Sequence, residues 1–404
     1  MKNLVMAVAT GYGWHDLEPF IISCKKQCPD ADLVLFVDNL SKFTQDKLKD
    51  KVILQPIPEN LKSMSVVCSR FIMYKDFLDA HNEYENIFVS DIRDVIFQGD
   101  IFKAYDQHKN FLVYATEAEL IKNDKGNNNQ NWIRKFFGET AYQKLKDRII
   151  ICAGTIFGSN SELKILFDNL INLIGNSMEW GKDQAALNYL VHNNLVPIEN
   201  LIESNVNDGA IFTTGIIDNP KVSDDNVLRG DGNIPAVVHQ YTDKPQIIQI
   251  VNKNYREENF SCNANFTDFV STLDQTFCLV QVKNFDAATK IFVQNILFEK
   301  DLKPYGDKLL KLGDLILQRY NHDADILFVA VQKTLLKAFK INIDNKQMNK
   351  FYNLQIQSEK ILPVVNSEFK NFVKNLLATF VDIFYKNNLP QLAMTCTKRL
   401  AEWK

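Results

Sequence analysis

Short apolar runs alternate with stretches of helical periodicity over roughly the first 250 residues of the chain. A run of four to eight apolar residues is typical of a buried strand, and apolar residues recurring every three or four positions are typical of a helix. This alternation predicts a mostly parallel sheet covered by helices on both faces. The predicted strands are 4–9, 33–37, 52–54, 87–89, 111–115, 149–151 and 155–158, and the predicted helices are 17–28, 66–78, 132–145, 160–176 and 182–193.

The pattern changes after about residue 255, where glycine and proline become rare and helical spacing continues to the C-terminus. We therefore predict two domains, an α/β domain at 1–255 and an all-helical domain at 256–404, joined by the polar stretch 252–263. The predicted helices of the second domain are 266–280, 285–300, 305–319, 324–340, 366–386 and 390–403. The polar segment 122–131, rich in asparagine, is predicted to be an exposed loop.

Composition narrows the classes of function. A net charge of −3 gives no general attraction to nucleic acid. No apolar run approaches the roughly 20 residues needed to span a bilayer, although peripheral membrane contact remains open. The seven cysteines are odd in number and irregularly spaced, which favours free thiols in a reducing cytoplasm over disulfides or a zinc site. The oligomeric state is not indicated by any of these features.

The most informative segment is 87–100, where an apolar strand runs into Asp91 and Asp94 before apolar residues resume at Val95. Carboxylates at the end of a buried strand are costly unless they are paired or bind a cation. Ligands of open α/β sheets lie at the carboxyl ends of strands, and a divalent ion that holds a diphosphate needs carboxylate oxygens. The segment indicates a metal–diphosphate site, and the alternative is an aspartate that caps its own loop.

Three further segments carry candidate chemistry. His239 ends the apolar run 237–239 and is followed five residues later by Lys244, a suitable partner for phosphate. Asp183 and Gln184 open a predicted helix, where an acidic residue also fits the helix dipole. The segment 151–158 contains Gly154, which either bends a strand or allows a close approach to it. Taken alone, His239 is better explained as a structural histidine.

In this order and spacing, the four segments resemble glycosyltransferases of the GT-A fold, in particular the retaining group that is similar to glycogenin and the lipooligosaccharide galactosyltransferases. The resemblance covers about residues 1–250. It implies a Rossmann-like GT-A domain in which Mn²⁺ or Mg²⁺ is held by Asp91, Asp94 and His239. Arg93 occupies the third position of the family's Asp-x-Asp motif, and this departure puts strong metal dependence in question.

The resemblance also implies roles around the donor. Arg70, Arg93 and Lys244 would contact the diphosphate, while Thr10, Tyr12 and Asp38 would contact the nucleoside. Asp183 and Gln184 would face the transferred sugar, and the segment 152–154 would line the acceptor side. The implied reaction is transfer with retention from a nucleotide sugar, expected to be a UDP-sugar, to a hydroxyl of a glycan or glycoconjugate. The helical domain would then serve acceptor binding or assembly.

Two other functions remain open. A sugar-1-phosphate nucleotidyltransferase would share the α/β scaffold, but such enzymes usually carry a basic, glycine-rich loop after the first strand. Residues 10–15 contain neither lysine nor arginine, which disfavours that reading. A catalytically inactive interaction protein is the second alternative, and Arg93 in the metal motif is the feature that favours it.

Overall fold

The computed structural model describes residues 2–257, 268–296, 299, 301–339, 345–361, 367–386 and 389–402. The chain divides into two compact units, one made of residues 1–40 and 45–257 and the other of residues 41–44 and 258–404. The division at 257/258 lies close to the boundary at 255 expected from the sequence. The inclusion of residues 41–44 in the second unit has no counterpart in the sequence analysis.

The first unit is built on a mixed, mostly parallel sheet, which confirms the predicted α/β class. Within the described residues its strand order is β3-β2-β1-β4-β7-β6-β8. β1 pairs in parallel with both β2 and β4, while β7 runs antiparallel to β4 and β6. The strands are β1 Lys2–Ala9, β2 Asp32–Val37, β3 Ile53–Pro56, β4 Tyr84–Ser90, β6 Phe111–Leu120, β7 Ile149–Ser159 and β8 Asn200–Ser204.

A second, small sheet brings residues near the C-terminal end of the first unit close to β4. In it β5 (Val95–Phe97) pairs with β12 (Val237–His239), which also pairs with β9 (Ile211–Thr213). A separate hairpin joins β10 (Lys221–Val222) to β11 (Val227–Leu228). Because β5 follows β4 after only four residues, the small sheet carries His239 to the carboxyl end of β4.

Helices cover the large sheet and bury its apolar faces. One core cluster joins residues of β1, β2 and β4 to Phe71 and Tyr74 on one helix and to Leu166 and Phe167 on another. The helices of this part of the chain are α1 Trp14–Gln27, α2 Lys42–Leu48, α3 Val66–Ala80, α4 Ile101–Ala104, α5 Asn128–Leu145, α6 Asn160–Ile174, α7 Lys182–His192 and α8 Pro245–Asn254.

Three local predictions are corrected. The strands predicted at 149–151 and 155–158 form one continuous strand, β7, because Gly154 keeps an extended conformation within it. The asparagine-rich loop predicted to reach residue 131 ends earlier, since α5 begins at Asn128 and the Asn129 amide is buried against Asp124. Residues 252–254 of the predicted linker are helical in α8, and residues 258–267 lie outside the described part of the chain.

The described part of the second unit consists mainly of helices, as predicted. Its described helices are α9 Phe269–Gln281, α10 Phe285–Ile296, α11 Gly306–Arg319, α12 Asp325–Phe339, α13 Asn345–Ile361, α14 Ser367–Lys386 and α15 Pro390–Glu402. α13 is absent from the prediction. The buried Asp274 carboxylate accepts hydrogen bonds from the Ser41 and Thr44 hydroxyls. Across the described residues, none of the helices combines the length and the apolar character needed to cross a membrane.

Candidate active site

The candidate site lies where the connections of the large sheet change direction. From β1 the chain moves to β2 on one side, whereas β4 joins β1 on the other side. In open α/β sheets, such a switch point leaves a crevice outside the carboxyl ends of the two strands. Thr10 and Tyr12 follow β1, and Asp91 follows β4. These three residues line a cavity of about 340 Å³ together with Arg70, Arg93, Asp94, Trp180 and residues of β1, α3 and β4.

Asp91, Asp94 and His239 converge at one end of this cavity, as the sequence predicted. The antiparallel pairing of β12 with β5 sets His239 opposite Val95, the residue after Asp94. One ligand atom from each of the three side chains lies within 4.8 Å of the other two. Bonds of about 2.0–2.5 Å from a central divalent ion would span separations of this size. The three residues therefore form a donor set of two carboxylates and one imidazole.

The fit of a cation is supported by the imidazole itself. His239 is fully buried, and its Nε2 makes no hydrogen bond of acceptable geometry within the described residues. Asp91 Oδ2 lies 3.4 Å from this nitrogen and Asp94 Oδ1 lies 3.8 Å from it. An orphaned buried nitrogen is costly, and a cation that accepts its lone pair removes that cost. Carboxylate oxygens are common ligands of Mg²⁺, Ca²⁺ and Mn²⁺, and imidazole is a common ligand of transition metals, so the set could hold a divalent cation.

Gly154 provides the space beneath this cluster. A Cβ atom at this position would lie 2.4 Å from His239 Cε1 and 2.5 Å from Asp91 Oδ2. The Gly154 carbonyl also accepts a hydrogen bond of 2.7 Å from the Asp91 backbone N–H. The close approach of these side chains therefore requires a glycine at position 154. This is one of the two interpretations that the sequence left open. The groups that approach it are the side chains of the candidate ligands.

Arg70 on α3 joins the cluster to the start of α7. It donates to Asp91 Oδ1 at 2.5 Å, to Asp183 Oδ2 at 2.8 Å and to the Ala153 carbonyl at 2.8 Å. Burial alone would raise the pKa of Asp91, but Arg70 and then His239 outweigh it and lower that pKa to about 2. Asp91 is thus an anion whose Oδ1 faces Arg70 and whose Oδ2 faces His239.

Asp183 and Gln184 lie on the far side of Arg70. Burial raises the pKa of the Asp183 carboxyl, and the ion pair with Arg70 opposes that rise. The Gln184 side chain accepts from the Ala153 N–H at 3.3 Å. It donates to Glu117 at 3.3 Å and to Asn129 at 2.9 Å. The predicted sugar-facing pair is therefore held rigidly by the residues around it.

A second cavity of about 350 Å³ adjoins the first, and Val67, Arg70, Asp91 and Trp180 line both. Glu117, Asn129, Trp132 and Gln240 line the second cavity and were missed in the sequence analysis. Burial raises the pKa of Glu117 to about 7. The signals available in the sequence were Glu117, an acidic residue two positions after a predicted strand, and Trp132, a tryptophan at the start of a predicted helix.

The remaining predicted site residues differ in whether they line a cavity. Asp38 accepts a hydrogen bond from the Gly11 N–H at 3.1 Å, so it shapes the loop after β1 and does not line either cavity. Lys244 is buried and donates to the Gly215 carbonyl at 2.8 Å and to Asp243 at 3.0 Å. Arg93 is exposed at the wall of the first cavity. Cys152 lines the second cavity.

Some solved structures that are similar to this chain are glycosyltransferases. No protein-family model and no curated protein matches the sequence. An active-site mutant of the galactosyltransferase LgtC matches with 12% identity and a TM-score of 0.36, over 58% of this chain and 86% of that one. LgtC in complex with donor and acceptor sugar analogs matches with 15% identity and a TM-score of 0.35, over 59% and 86%.

The apo form of the glycosyltransferase GlyE of Streptococcus pneumoniae TIGR4 matches with 16% identity and a TM-score of 0.35, over 59% of this chain and 54% of that one. All three TM-scores lie below 0.5, and the function is therefore inferred from the geometry of the site.

Proposed function

We propose that the protein is a glycosyltransferase that moves a sugar from a nucleotide-diphosphate donor, a UDP-sugar, to a hydroxyl of a glycan or glycoconjugate, with retention. The observation that carries this proposal is the Asp91–Asp94–His239 cluster at the sheet's switch point, between two adjoining cavities. The first cavity would take the nucleotide, and the second would take the sugar and the acceptor. A carboxylate–imidazole set between two such cavities fits a diphosphate that must be neutralised as it leaves.

Mn²⁺ or Mg²⁺ is the group that these ligands would hold, and when bound it would stabilise the charge on the leaving diphosphate. Arg93, exposed at the wall of the nucleotide cavity, would add a positive charge on the same diphosphate. Asp94, one position after the family's usual second aspartate, would replace it as a ligand. Lys244 already pairs with Asp243 and the Gly215 carbonyl, so contact with phosphate would require it to exchange these partners.

The groups around Arg70 would orient the reacting sugar. Arg70 holds Asp91 and Asp183 at a fixed separation, and Gln184 is held by Ala153, Glu117 and Asn129. Such preorganised groups accelerate a reaction because they need no rearrangement as charge develops. In this scheme the leaving phosphate accepts the proton of the acceptor hydroxyl. Asp183 positions the sugar and is not required to be a covalent nucleophile.

The second cavity has the chemistry of a saccharide site. Glu117, Asp124, Asn128 and Asn129 offer carboxylate and amide groups for hydroxyls, and Trp180 offers a broad apolar face that is 65% exposed. Flat aromatic faces and a few convergent polar groups are the usual means of holding a polar ring in a pocket. These features support a glycan acceptor and a role in polysaccharide or glycoconjugate assembly. The six described cysteines are free, which supports our inference of a reducing, cytoplasmic compartment.

A screen of nucleotide sugars for hydrolysis, with and without Mn²⁺, tests the proposal. Wild-type protein should release the nucleotide from at least one UDP-sugar, and Asp91→Asn should lower that rate by about 10²-fold or more because an electrostatic stabiliser is lost. The matched control is Asp106→Asn, since Asp106 is exposed and lies away from both cavities. Wild-type rates in Asp91→Asn would refute the assigned site. UDP binding without any turnover would favour the inactive alternative suggested by Arg93.

A further inference from the structure

The two ring nitrogens of His239 face different environments. Nε2 points towards Asp91 and Asp94, whereas Nδ1 lies 3.6 Å from the sulfur of Cys152. A histidine that binds a metal is normally held through its other nitrogen by a carboxylate, a backbone carbonyl or a water. In this protein that position is taken by a buried thiol on β7.

We propose that Cys152 is a positioning residue that orients the His239 ring by accepting a hydrogen bond from Nδ1–H when Nε2 binds the cation. The inference rests on the proposed function for the presence of the cation, but the arrangement of the imidazole is a property of this chain. Only the tautomer with the proton on Nδ1 can coordinate through Nε2, since a nitrogen that carries hydrogen has no lone pair to donate.

A second side chain, that of Gln240, also contacts the sulfur of Cys152. The Gln240 side chain donates to Cys152 Sγ at 3.7 Å, so that two nitrogens converge on one sulfur atom. Sulfur is a weak but competent acceptor. With the Gln240 amide as one donor, the sulfur can accept a second hydrogen bond from Nδ1–H when a cation takes the Nε2 lone pair.

The backbone around Gln240 shows that this side chain is held in place. Gln240 has a φ of +60°, which a residue with a side chain rarely adopts. Its backbone N–H donates to the Asp94 carbonyl at 2.9 Å. Its Oε1 lies so close to Gly215 that a Cβ there would be 2.0 Å away. The strained residue is thus fixed between a ligand's backbone and a glycine, with its amide directed at Cys152.

The test compares Cys152→Ala and Cys152→Ser with the wild type by calorimetric titration with Mn²⁺ in the presence of UDP. We expect Cys152→Ala to weaken Mn²⁺ binding by about 10–100-fold, the usual cost of losing a group that orients a metal ligand. Cys152→Ser retains an acceptor and should lose less affinity than Cys152→Ala. Cys24→Ala, which removes another buried thiol, is the matched control and should bind Mn²⁺ as the wild type does.

Donor hydrolysis and metal binding separate this inference from the proposed function. ¹⁵N NMR of the Mg²⁺-loaded protein should show a hydrogen-bonded Nδ1–H of His239 in the wild type and a shifted Nδ1–H resonance in Cys152→Ala. A wild type that binds metal but hydrolyses no nucleotide sugar would refute the proposed function and leave the inference standing. A wild type that binds no metal, an unchanged Nδ1–H resonance in Cys152→Ala, or equal Mn²⁺ affinities in all variants would overturn the inference. Equal losses in Cys152→Ala and Cys152→Ser would assign Cys152 to packing alone and would also overturn it.

Discussion

Single residues determine how the site distributes its charges. One oxygen of Asp91 faces Arg70 and the other faces the candidate cation site, so this one carboxylate lines both cavities. Arg70 neutralises part of the charge that would otherwise accumulate when Asp91, Asp94 and Asp183 lie close together. The cost of one buried carboxylate and two partly buried ones is therefore reduced before any ion arrives.

We expect Gly154→Ala to abolish tight metal binding while leaving the fold intact. The new Cβ would overlap both His239 and Asp91, and these side chains would have to move apart. Calorimetry with Mn²⁺ and UDP should show an affinity at least about 10-fold weaker than that of the wild type. Gly99→Ala is the control, because its Cβ would meet only ordinary contacts at 3.4 Å or more. Undiminished Mn²⁺ affinity in Gly154→Ala would place the cation elsewhere.

Glu117 should make stability depend on pH in metal-free buffer. Burial raises the pKa of Glu117 from 4.5 to about 7, so between these values the folded protein holds a proton that the unfolded chain has released. The free energy of unfolding should therefore decrease as pH rises from about 4.5 to 7 and then level off, by up to about 3 kcal/mol from this group. Urea unfolding of wild type and Glu117→Gln should show this difference. A Glu117→Gln variant whose free energy of unfolding falls over this pH range as much as that of the wild type would contradict the prediction.

The sequence analysis identified residues whose side chains are unusual for the segment in which they lie. Asp91 and His239 each end an apolar run, which is a local signal. Glu117 escaped notice because a carboxylate in a strand is ordinarily on the solvent face, and its burial depends on Gln184 and Asn129 from distant segments. The pairing of Arg70 with Asp183, which lie 113 residues apart, likewise depends on tertiary structure.

Secondary-structure elements were predictable where the apolar pattern was clear. β1, β2 and β4 were found because they are buried on both faces, and the helices from α9 to α12 because their spacing is regular. α13 was missed because Gln355 and Ser358 occupy its buried face beside Met348 and Phe351. β7 was divided in two because the residue required beneath the ligands is a glycine, which usually interrupts a strand pattern.

The segment that precedes α7 should determine acceptor affinity. It runs from Gly175 to Gly181, both with positive φ, and carries Met178 and Trp180, which are 75% and 65% exposed. Trp180 lines both cavities, so Trp180→Ala should raise the KM for the acceptor by about 10-fold or more, the effect of losing one stacked aromatic ring. Hydrolysis of the donor without acceptor should change little.

Met178→Ala is the matched control, since Met178 is on the same segment but lines neither cavity. It should leave the acceptor KM unchanged. A Trp180→Ala variant that binds acceptor normally but loses donor hydrolysis would move Trp180 from the acceptor side to the donor side. Steady-state kinetics with the acceptor varied at saturating donor, together with donor hydrolysis assays, distinguishes these outcomes.

At the scale of the whole molecule, the candidate site and the helical unit are separate in sequence. Every residue of the two cavities lies between Val8 and Gln240, within the first unit. The second unit includes residues 41–44, and its Asp274 is satisfied by Ser41, Thr44 and Lys308. A carboxylate with these partners is buried at little net cost. In a chain truncated after residue 257, Ser41 and Thr44 would be left without it.

A fragment of residues 1–257 should therefore retain UDP binding with Mn²⁺ and unfold at a lower temperature than the full chain. Its donor site is complete, whereas residues 41–44 have lost Asp274 and Ser271. The full chain with Asp274→Ala is the control, because it removes the carboxylate and keeps the helices. Calorimetry with UDP and Mn²⁺ measures binding, and circular dichroism verifies folding. If the fragment is folded but does not bind UDP while Asp274→Ala does, the helical unit contributes to the donor site, and its proposed restriction to acceptor binding or assembly is wrong.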